Sequence, residues 1–432
     1  MTTRLQRATS PAPRHPSTPA KALVRPGLKV RESERLRKLP VYVFAELDRL
    51  KAEKVARGTD VIDLGMGNPD LPAPEAAIEA MRRALGKPES HRYPVFQGIP
   101  AFREAVSAWC QRRYGFKVDP GKEVIPLLGS KEGLVHLAMS LVGAGEVTLV
   151  PQPAYPAHLR GTLLANGTPY AIPQRPARDL FPDAEMPGDR ADLLPDLDAI
   201  PKSVLKKARL LILSYPTNPT AYTAPLALYE QAVKFARRHR LVLVSDFAYA
   251  EVAFDGYHPP SLLSLPGAID GAVEFHSFSK TFSMAGWRLG FAVGNAAILK
   301  TLMKFKTNCD YGVFQATQEA GAAALGVGEE FLAGMRRTYQ RRRDLFVEGL
   351  RRLGLDLSRP AATMYLWVRA PRGTTGAAFA KSLLDRAGVV VAPGSAFGAG
   401  GEKHVRVALV DNEERLGEAL RRMEKAGIGA AS

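Results

Sequence analysis

Lys280 stands at the end of an apolar run, flanked by Ser277 and Ser279, with Arg288 eight residues on. Asp246 closes a second apolar run, RLVLVSD, and Tyr249 follows three residues later. After a third run, RLLILSYP, comes Thr217-Asn218-Pro219-Thr220. After a fourth, EVIPLLG, comes Gly129-Ser130-Lys131-Glu132-Gly133, a small-residue turn opening a helix whose free N–H groups and dipole suit a phosphate. Singly these are a surface lysine, a helix-capping aspartate, an Asn-Pro turn and an ordinary cap. Together they supply phosphate donors, an amine, a carboxylate and a hydroxyl. Pyridoxal phosphate requires that set: its aldehyde takes a lysine amine, and its ring nitrogen needs a carboxylate so that the ring can accept electrons.

The elements carrying these residues read as buried strands at 123–129, 146–152, 209–216, 240–246, 273–279 and 288–294, each rich in Val, Ile, Leu or Phe. An amphipathic stretch at 226–239 lies between two of them, and the cadence predicts an α/β fold with a mostly parallel sheet. In such sheets ligands sit beyond the carboxyl ends of the strands, where the four clusters fall. Residues 41–57 predict a helix, and 61–70 a short strand broken at Gly65, Gly67 and Pro69. Past about 325 the pattern changes to a long amphipathic helix at 331–354, then strands at 364–370, 389–393 and 404–410. The expected organisation is a large domain over 66–305 and a smaller α+β domain built from 39–65 and 306–432.

The chain has 432 residues, 46% of them hydrophobic and 24% charged, enough for a sizeable core. No run approaches the roughly 20 apolar residues of a membrane span, so no membrane role is expected. Cys110 and Cys309 cannot build a disulfide framework or a multi-cysteine metal site, which suits the cytoplasm, and no metal is expected. The net charge of +16 invites a nucleic-acid reading, yet residues 1–38 hold ten Lys/Arg and two acids, half of the excess. That stretch, rich in Pro, Ser, Thr and Arg, is expected to be a disordered basic tail; an organelle transit peptide is the other reading.

The chain resembles a fold-type I, class I/II aminotransferase from about Leu39 to its end. The resemblance rests on Ser277-Phe278-Ser279-Lys280-Thr281-Phe282-Ser283-Met284-Ala285-Gly286-Trp287-Arg288-Leu289-Gly290. It implies that Lys280 is the Schiff-base lysine, with Ser277, Ser279 and Arg288 at the cofactor phosphate. Ser130 and Lys131 match the phosphate loop, and Tyr155 the aromatic stacked on the ring. Asp246 would pair with the ring nitrogen, and Asn218 and Tyr249 with the phenolic oxygen. Tyr93 resembles the tyrosine that reaches the neighbouring subunit's phosphate, implying a homodimer with shared sites. Gly67, Asn218 and Arg406 match substrate positions, as does Lys131, which could meet a substrate's far end; an arginine suits a bidentate grip on a carboxylate.

Two departures stand out. The common Asn-Pro-Thr-Gly reads Asn218-Pro219-Thr220-Ala221, and Tyr311 stands where diaminopimelate aminotransferases of similar pattern tend to carry Asn. The expected activity is transamination between L-amino acids and 2-oxo acids, with alanine/glutamate and pyruvate/2-oxoglutarate first. LL-diaminopimelate or aspartate transamination is the alternative, with a PLP-dependent lyase behind it. A transcription regulator with an aminotransferase-like domain is set aside, because 38 residues rich in proline and poor in apolar residues cannot make a winged helix.

Overall fold

The structure is a computed structural model that describes residues 29–40, 43–186 and 192–429. In chain order its strands are β1 (Ile62–Asp63), β2 (Val124–Leu127), β3 (Val147–Pro151), β4 (Thr168–Ile172), β5 (Gln174–Pro176), β6 (Leu193–Pro195) and β7 (Ala208–Leu213). Then follow β8 (Val242–Asp246), β9 (Ala272–Ser277), β10 (Gly290–Gly294), β11 (Tyr365–Arg369), β12 (Val389–Val390), β13 (Ala392–Pro393) and β14 (His404–Ala408).

Seven of them form one sheet in the order β2-β10-β9-β8-β7-β3-β4. β10 is antiparallel to both neighbours, and every other adjacent pair is parallel. β2, β3, β7, β8 and β9 therefore point the same way, and the loops that follow them open on one edge. β10 starts at that edge, with Gly290 opposite both Ser277 and Leu127, so Arg288 joins the same rim. The strands bury both faces: Leu149, Leu211, Leu243 and Phe291 pack into one apolar cluster, and Val150, Ile212, Val244 and Phe275 into another.

A separate cluster centres on the antiparallel sheet β11-β14-β13 and the parallel pair β1-β12. Its helices include Glu329–Arg352, whose Met335, Tyr339, Phe346 and Leu350 face inward at helical spacing. Glycines and a proline had suggested a loop after β1, and the chain there does leave the strand at once.

Some expectations need correction. The run 389–393 is two strands rather than one: β12 pairs with β1, and after Val391 the chain crosses to pair with β14. β4 and the β5-β6 pair had not been anticipated. Of the stretch expected to be a disordered tail, residues 1–28 lie outside the described residues. Within the rest, Glu34–Arg37 is a short helix, and Lys38 Nζ donates to Asn166 Oδ1 at 3.1 Å, so order begins before Leu39. No helix among the described residues is long and apolar enough to cross a membrane.

Candidate active site

A cavity of about 420 Å³ opens at the common strand edge. Into it come Ser130, Tyr155, Asn218, Asp246, Tyr249, Ser277, Ser279, Lys280 and Arg288 from the large sheet's loops, and Tyr365 and Arg406 from the small sheet. Gly67, Lys131 and Leu39 also border it. Of the residues expected at the site, Tyr93 is absent from this lining; its side chain is 80% exposed and stacks on Tyr311, ring centroids 4.3 Å apart.

Lys280 lies in the short helix Phe278–Thr281, entered through Ser277, whose side chain accepts from Ser279 N. Its Nζ donates to Gly67 O at 2.6 Å. Burial, then the Arg406 and Arg288 cations, hold the Lys280 ammonium below the usual lysine range, against an opposing pull from Tyr365. Asp246 is buried at the end of β8, with Oδ2 2.8 Å from His158 Nε2. Its Oδ1 is also buried, and no described group donates to it. A buried carboxylate oxygen left in this way fits a protonated ring nitrogen, which would complete its bonding.

The phosphate corner has the right donors. Helix Ser130–Leu141 begins there, with free N–H groups at its first turn. Gly129 has φ +84°, and a Cβ on it would lie 2.6 Å from Arg288 Nη2, so only glycine lets the arginine reach over the loop. Arg288 is itself braced on Ala285 O at 2.8 Å. Glu132 fixes the loop from below: its Oε2 accepts from Leu128 N at 3.0 Å, and its Oε1 from the buried Lys306 Nζ at 2.8 Å. These groups fit pyridoxal phosphate in charge and shape.

At the opposite wall, Arg406 Nη2 donates to Gly65 O at 2.7 Å and Nη1 to Asn218 Oδ1 at 2.8 Å. Its guanidinium lies between aromatic rings, 4.2 Å from the Tyr365 centroid and 4.8 Å from that of Phe397. Lys131 and Arg160 also line the cavity, from helices Ser130–Leu141 and Pro156–Leu164. Burial first, then Arg160 and Arg288, depress the Lys131 ammonium.

The sequence reading missed His158, Arg160, Tyr365, Glu132 and Lys306. His158 carried a weak signal, lying one helical turn past Tyr155, and Glu132 stood in the turn 129–133 without a role of its own; the others carried none, since ordinary helices and strands hold them. Tyr311, given weight as a substrate discriminator, lies outside the cavity lining of its own chain and packs on Tyr93 and Phe96.

A family model described as aminotransferase class I and II matches residues 59–423. The LL-diaminopimelate aminotransferase of Moorella thermoacetica is 44% identical over 396 residues, 92% of this chain and 98% of that protein. The LL-diaminopimelate aminotransferase of Aquifex aeolicus is 44% identical over 392 residues, 91% of this chain and 98% of that protein. Among solved structures, substrate-bound BacF from Bacillus subtilis superposes with a TM-score of 0.86 at 36% identity, covering 94% of this chain and all of that one. A probable N-succinyldiaminopimelate aminotransferase from Thermus thermophilus gives 0.81 at 37% identity, covering 89% of this chain and all of that one. These relatives do not support the expectation that alanine/glutamate comes first, and favour its alternative.

Proposed function

The chain belongs to the class I and II aminotransferases, pyridoxal-phosphate enzymes of fold type I, and from that premise we propose that it transaminates LL-diaminopimelate with 2-oxoglutarate. The observation that carries this reading is the pair Lys131 and Arg160. Arg288 would serve a phosphate and Arg406 an α-carboxylate, and Lys131 and Arg160 add two further cations to the cavity lining. Together they suit a second carboxylate, which diaminopimelate and 2-oxoglutarate both have and alanine and pyruvate lack. The names of the relatives support the same choice.

When bound, pyridoxal phosphate supplies an aldehyde that condenses with amines and a ring that withdraws electrons from the substrate's α-carbon. Lys280 Nζ is the amine that would hold the aldehyde and, when free of it, would take the substrate's α-proton. Burial and the neighbouring cations lower its proton affinity from the ordinary lysine value, which favours the free base. Asp246 Oδ1 would accept the ring N–H, with His158 holding the other oxygen. Asn218 and Tyr249 would hold the phenolic oxygen, Tyr155 the ring face, and Ser130, Ser277, Ser279 and Arg288 the phosphate. Arg406, beside Gly67 and Asn218, grips the α-carboxylate.

The working assembly is a homodimer in which Tyr93 serves the partner's phosphate; the exposed Tyr93, Val95, Tyr311 and Phe314 support this reading. The expected division is a large domain over 66–305 and a small one from 39–65 and 306–432; the two core clusters support two domains but carry the large one further, since Val313, Ala320, Ala324 and Leu325 pack with the large sheet. Two free cysteines accord with a cytoplasmic place.

The test is a screen of LL-diaminopimelate, aspartate, glutamate and alanine against pyruvate and 2-oxoglutarate. LL-diaminopimelate with 2-oxoglutarate is expected to lead alanine in kcat/KM by more than about tenfold, as one charge-assisted bond of about 1.5–3 kcal/mol implies. Arg160→Met is expected to raise KM for the dicarboxylates selectively. Alanine leading the screen would overturn the substrate reading and leave the cofactor site untouched.

A further inference from the structure

A pair of hydroxyls joins the two sheets inside the cavity. Tyr365 opens β11 of the small sheet, and Tyr249 lies just beyond the end of β8 in the large one. Their Oη atoms are 2.9 Å apart, their rings meet edge to face at 5.5 Å, and both side chains are buried. Nothing in the sequence reading gave Tyr365 a part.

Its surroundings are unusually charged for a buried phenol. The Arg406 guanidinium covers its ring at 4.2 Å. A Cβ at Gly67 would fall 2.0 Å from its Oη, so the hydroxyl occupies space that only a glycine leaves open. The carbonyl of that same Gly67 accepts from Lys280 Nζ at 2.6 Å. Tyr365 Oη and the Lys280 amine thus share one stretch of backbone. The titratable and charged groups bearing on it are Lys280 after β9, Arg406 on β14, Tyr249 after β8 and, from the long helix Glu329–Arg352, Tyr339.

The pair is asymmetric. Burial pushes the Tyr249 hydroxyl well above the ordinary phenol value. Burial pushes Tyr365 up too, but the Lys280 and Arg406 cations, with the bond that Tyr249 gives to its ionised form, outweigh it, and Tyr365 ends below that value. In the neutral pair either hydroxyl can donate across the 2.9 Å contact; the Arg406 guanidinium over the Tyr365 ring, which stays when Lys280 holds the aldehyde, favours Tyr365 as the donor to Tyr249 Oη. Asn218 Nδ2 approaches the same oxygen at 3.5 Å. With Tyr365 on one acceptor direction and Asn218 on the other, the single proton of Tyr249 is left to point into the cavity.

We propose that Tyr365 is a positioning residue that aims the Tyr249 hydroxyl proton at the phenolic oxygen of the bound cofactor. The inference rests on the reading above that Tyr249 faces that oxygen. A donor there draws away electron density that otherwise holds the proton on the Lys280 nitrogen, so loss of the aim raises that nitrogen's proton affinity. Because Arg406 stacks on the ring of Tyr365 rather than on its hydroxyl, Tyr365→Phe separates the two contributions.

The experiment follows the visible absorption of the holoenzyme against pH in wild type, Tyr365→Phe, Tyr249→Phe and the double variant. Tyr249→Phe is expected to raise the midpoint. Tyr365→Phe should raise it by about 0.5–1 pH unit, the effect of one neutral hydrogen bond, and the double variant no further than Tyr249→Phe alone. In turnover, kcat should fall about five- to tenfold in Tyr365→Phe, with KM for the amino donor within about twofold. In the cofactor-free protein, the first tyrosinate seen by ultraviolet difference titration in wild type should be missing from Tyr365→Phe.

A midpoint that moves in Tyr249→Phe but not in Tyr365→Phe overturns the inference and leaves the role of Tyr249 standing. A midpoint unmoved in both overturns the role of Tyr249 itself. A raised KM with an unmoved midpoint makes Tyr365 a prop for Arg406 only, and a first tyrosinate that persists in Tyr365→Phe reverses the direction of the bond; either result overturns the inference.

Discussion

Replacing His158 with Phe removes one hydrogen bond and little else. The His158 and Asp246 side chains are 2% and 5% exposed, and the Nε2–Oδ2 distance is 2.8 Å. The imidazole ring meets Tyr155 edge to face at 5.7 Å, a contact that a phenyl ring can keep. A hydrogen bond to a charged group contributes about 1.5–3 kcal/mol, or roughly 10- to 150-fold at 1.36 kcal/mol per decade. Without it one Asp246 oxygen loses its partner and the carboxylate is no longer held with Oδ1 facing the cavity, where the ring N–H would be met. His158→Phe is therefore expected to lower kcat by about 10- to 150-fold, with KM changed less than about threefold. The assay is steady-state kinetics with the best donor from the substrate screen, with thermal unfolding of the cofactor-free protein as the control for folding. A correctly folded variant within about twofold of wild type in kcat, or one whose loss lies in KM alone, would refute the reasoning.

Lys280→Ala should retain pyridoxal phosphate only non-covalently and lose turnover; borohydride should fix the cofactor to Lys280 in the wild type, and label on another lysine overturns the assignment. Mixing Tyr93→Phe with Lys280→Ala chains should yield heterodimers in which one site carries both lesions and the other neither. Activity should then partly return, and verified heterodimers that stay inactive would argue against shared sites. Glu132 gives a pH prediction. Burial raises its carboxyl, but the His136 bond and the Lys306 ammonium outweigh this and hold it below the usual carboxylate value. Its stabilisation is complete above the unfolded value of about 4.3 and is lost as pH falls through the lower folded value. Glu132→Gln should therefore flatten that part of the acid-unfolding curve, and an unchanged slope in urea titrations at several pH values would sink the linkage.

The sequence was most readable where a residue sits at the end of a strand buried on both faces. β7, β8 and β9 are continuous apolar runs, so the residues that break them, at 214–218, Asp246 and 277–280, are visible as endings. Helix Leu226–His239 was legible from its spacing for the same reason. β4 was not, because it lies at the sheet edge with four of its five residues at least partly exposed, and its pattern looks like a loop. The break at Val391 is set by two different partner strands, which local pattern does not encode. His158 and Tyr365 act through partners 88 and 116 residues away; the only local mark is the place of His158 one helical turn past Tyr155, and Tyr365 has none. Tyr311 shows the opposite error: a position conspicuous in a comparison of patterns that, in its own chain, packs against other aromatic residues outside the cavity.

Four residues close a loop between the sheets, and that loop explains why carboxylate recognition and cofactor tuning share one wall. Arg406 and Tyr365 come from β14 and β11, where Trp367 pairs with Arg406 and Tyr365 with Ala408, so both stand on one face of the small sheet. Asn218 and Tyr249 come from the loops after β7 and β8 of the large sheet. Arg406 donates to Asn218 Oδ1 at 2.8 Å, Asn218 Nδ2 reaches Tyr249 Oη at 3.5 Å, and Tyr249 meets Tyr365 at 2.9 Å. The Tyr365 ring returns under Arg406 at 4.2 Å. A carboxylate arriving at Arg406 would compete with Asn218 for its Nη1 and offset one of the two cations, Lys280 and Arg406, that lower the Tyr365 hydroxyl. Both contacts lead to the Tyr249 hydroxyl, one along each side of the loop. The small sheet therefore does more than cover the cavity: its arginine and its tyrosine set the carboxylate site two contacts away from a hydroxyl that belongs to the large sheet.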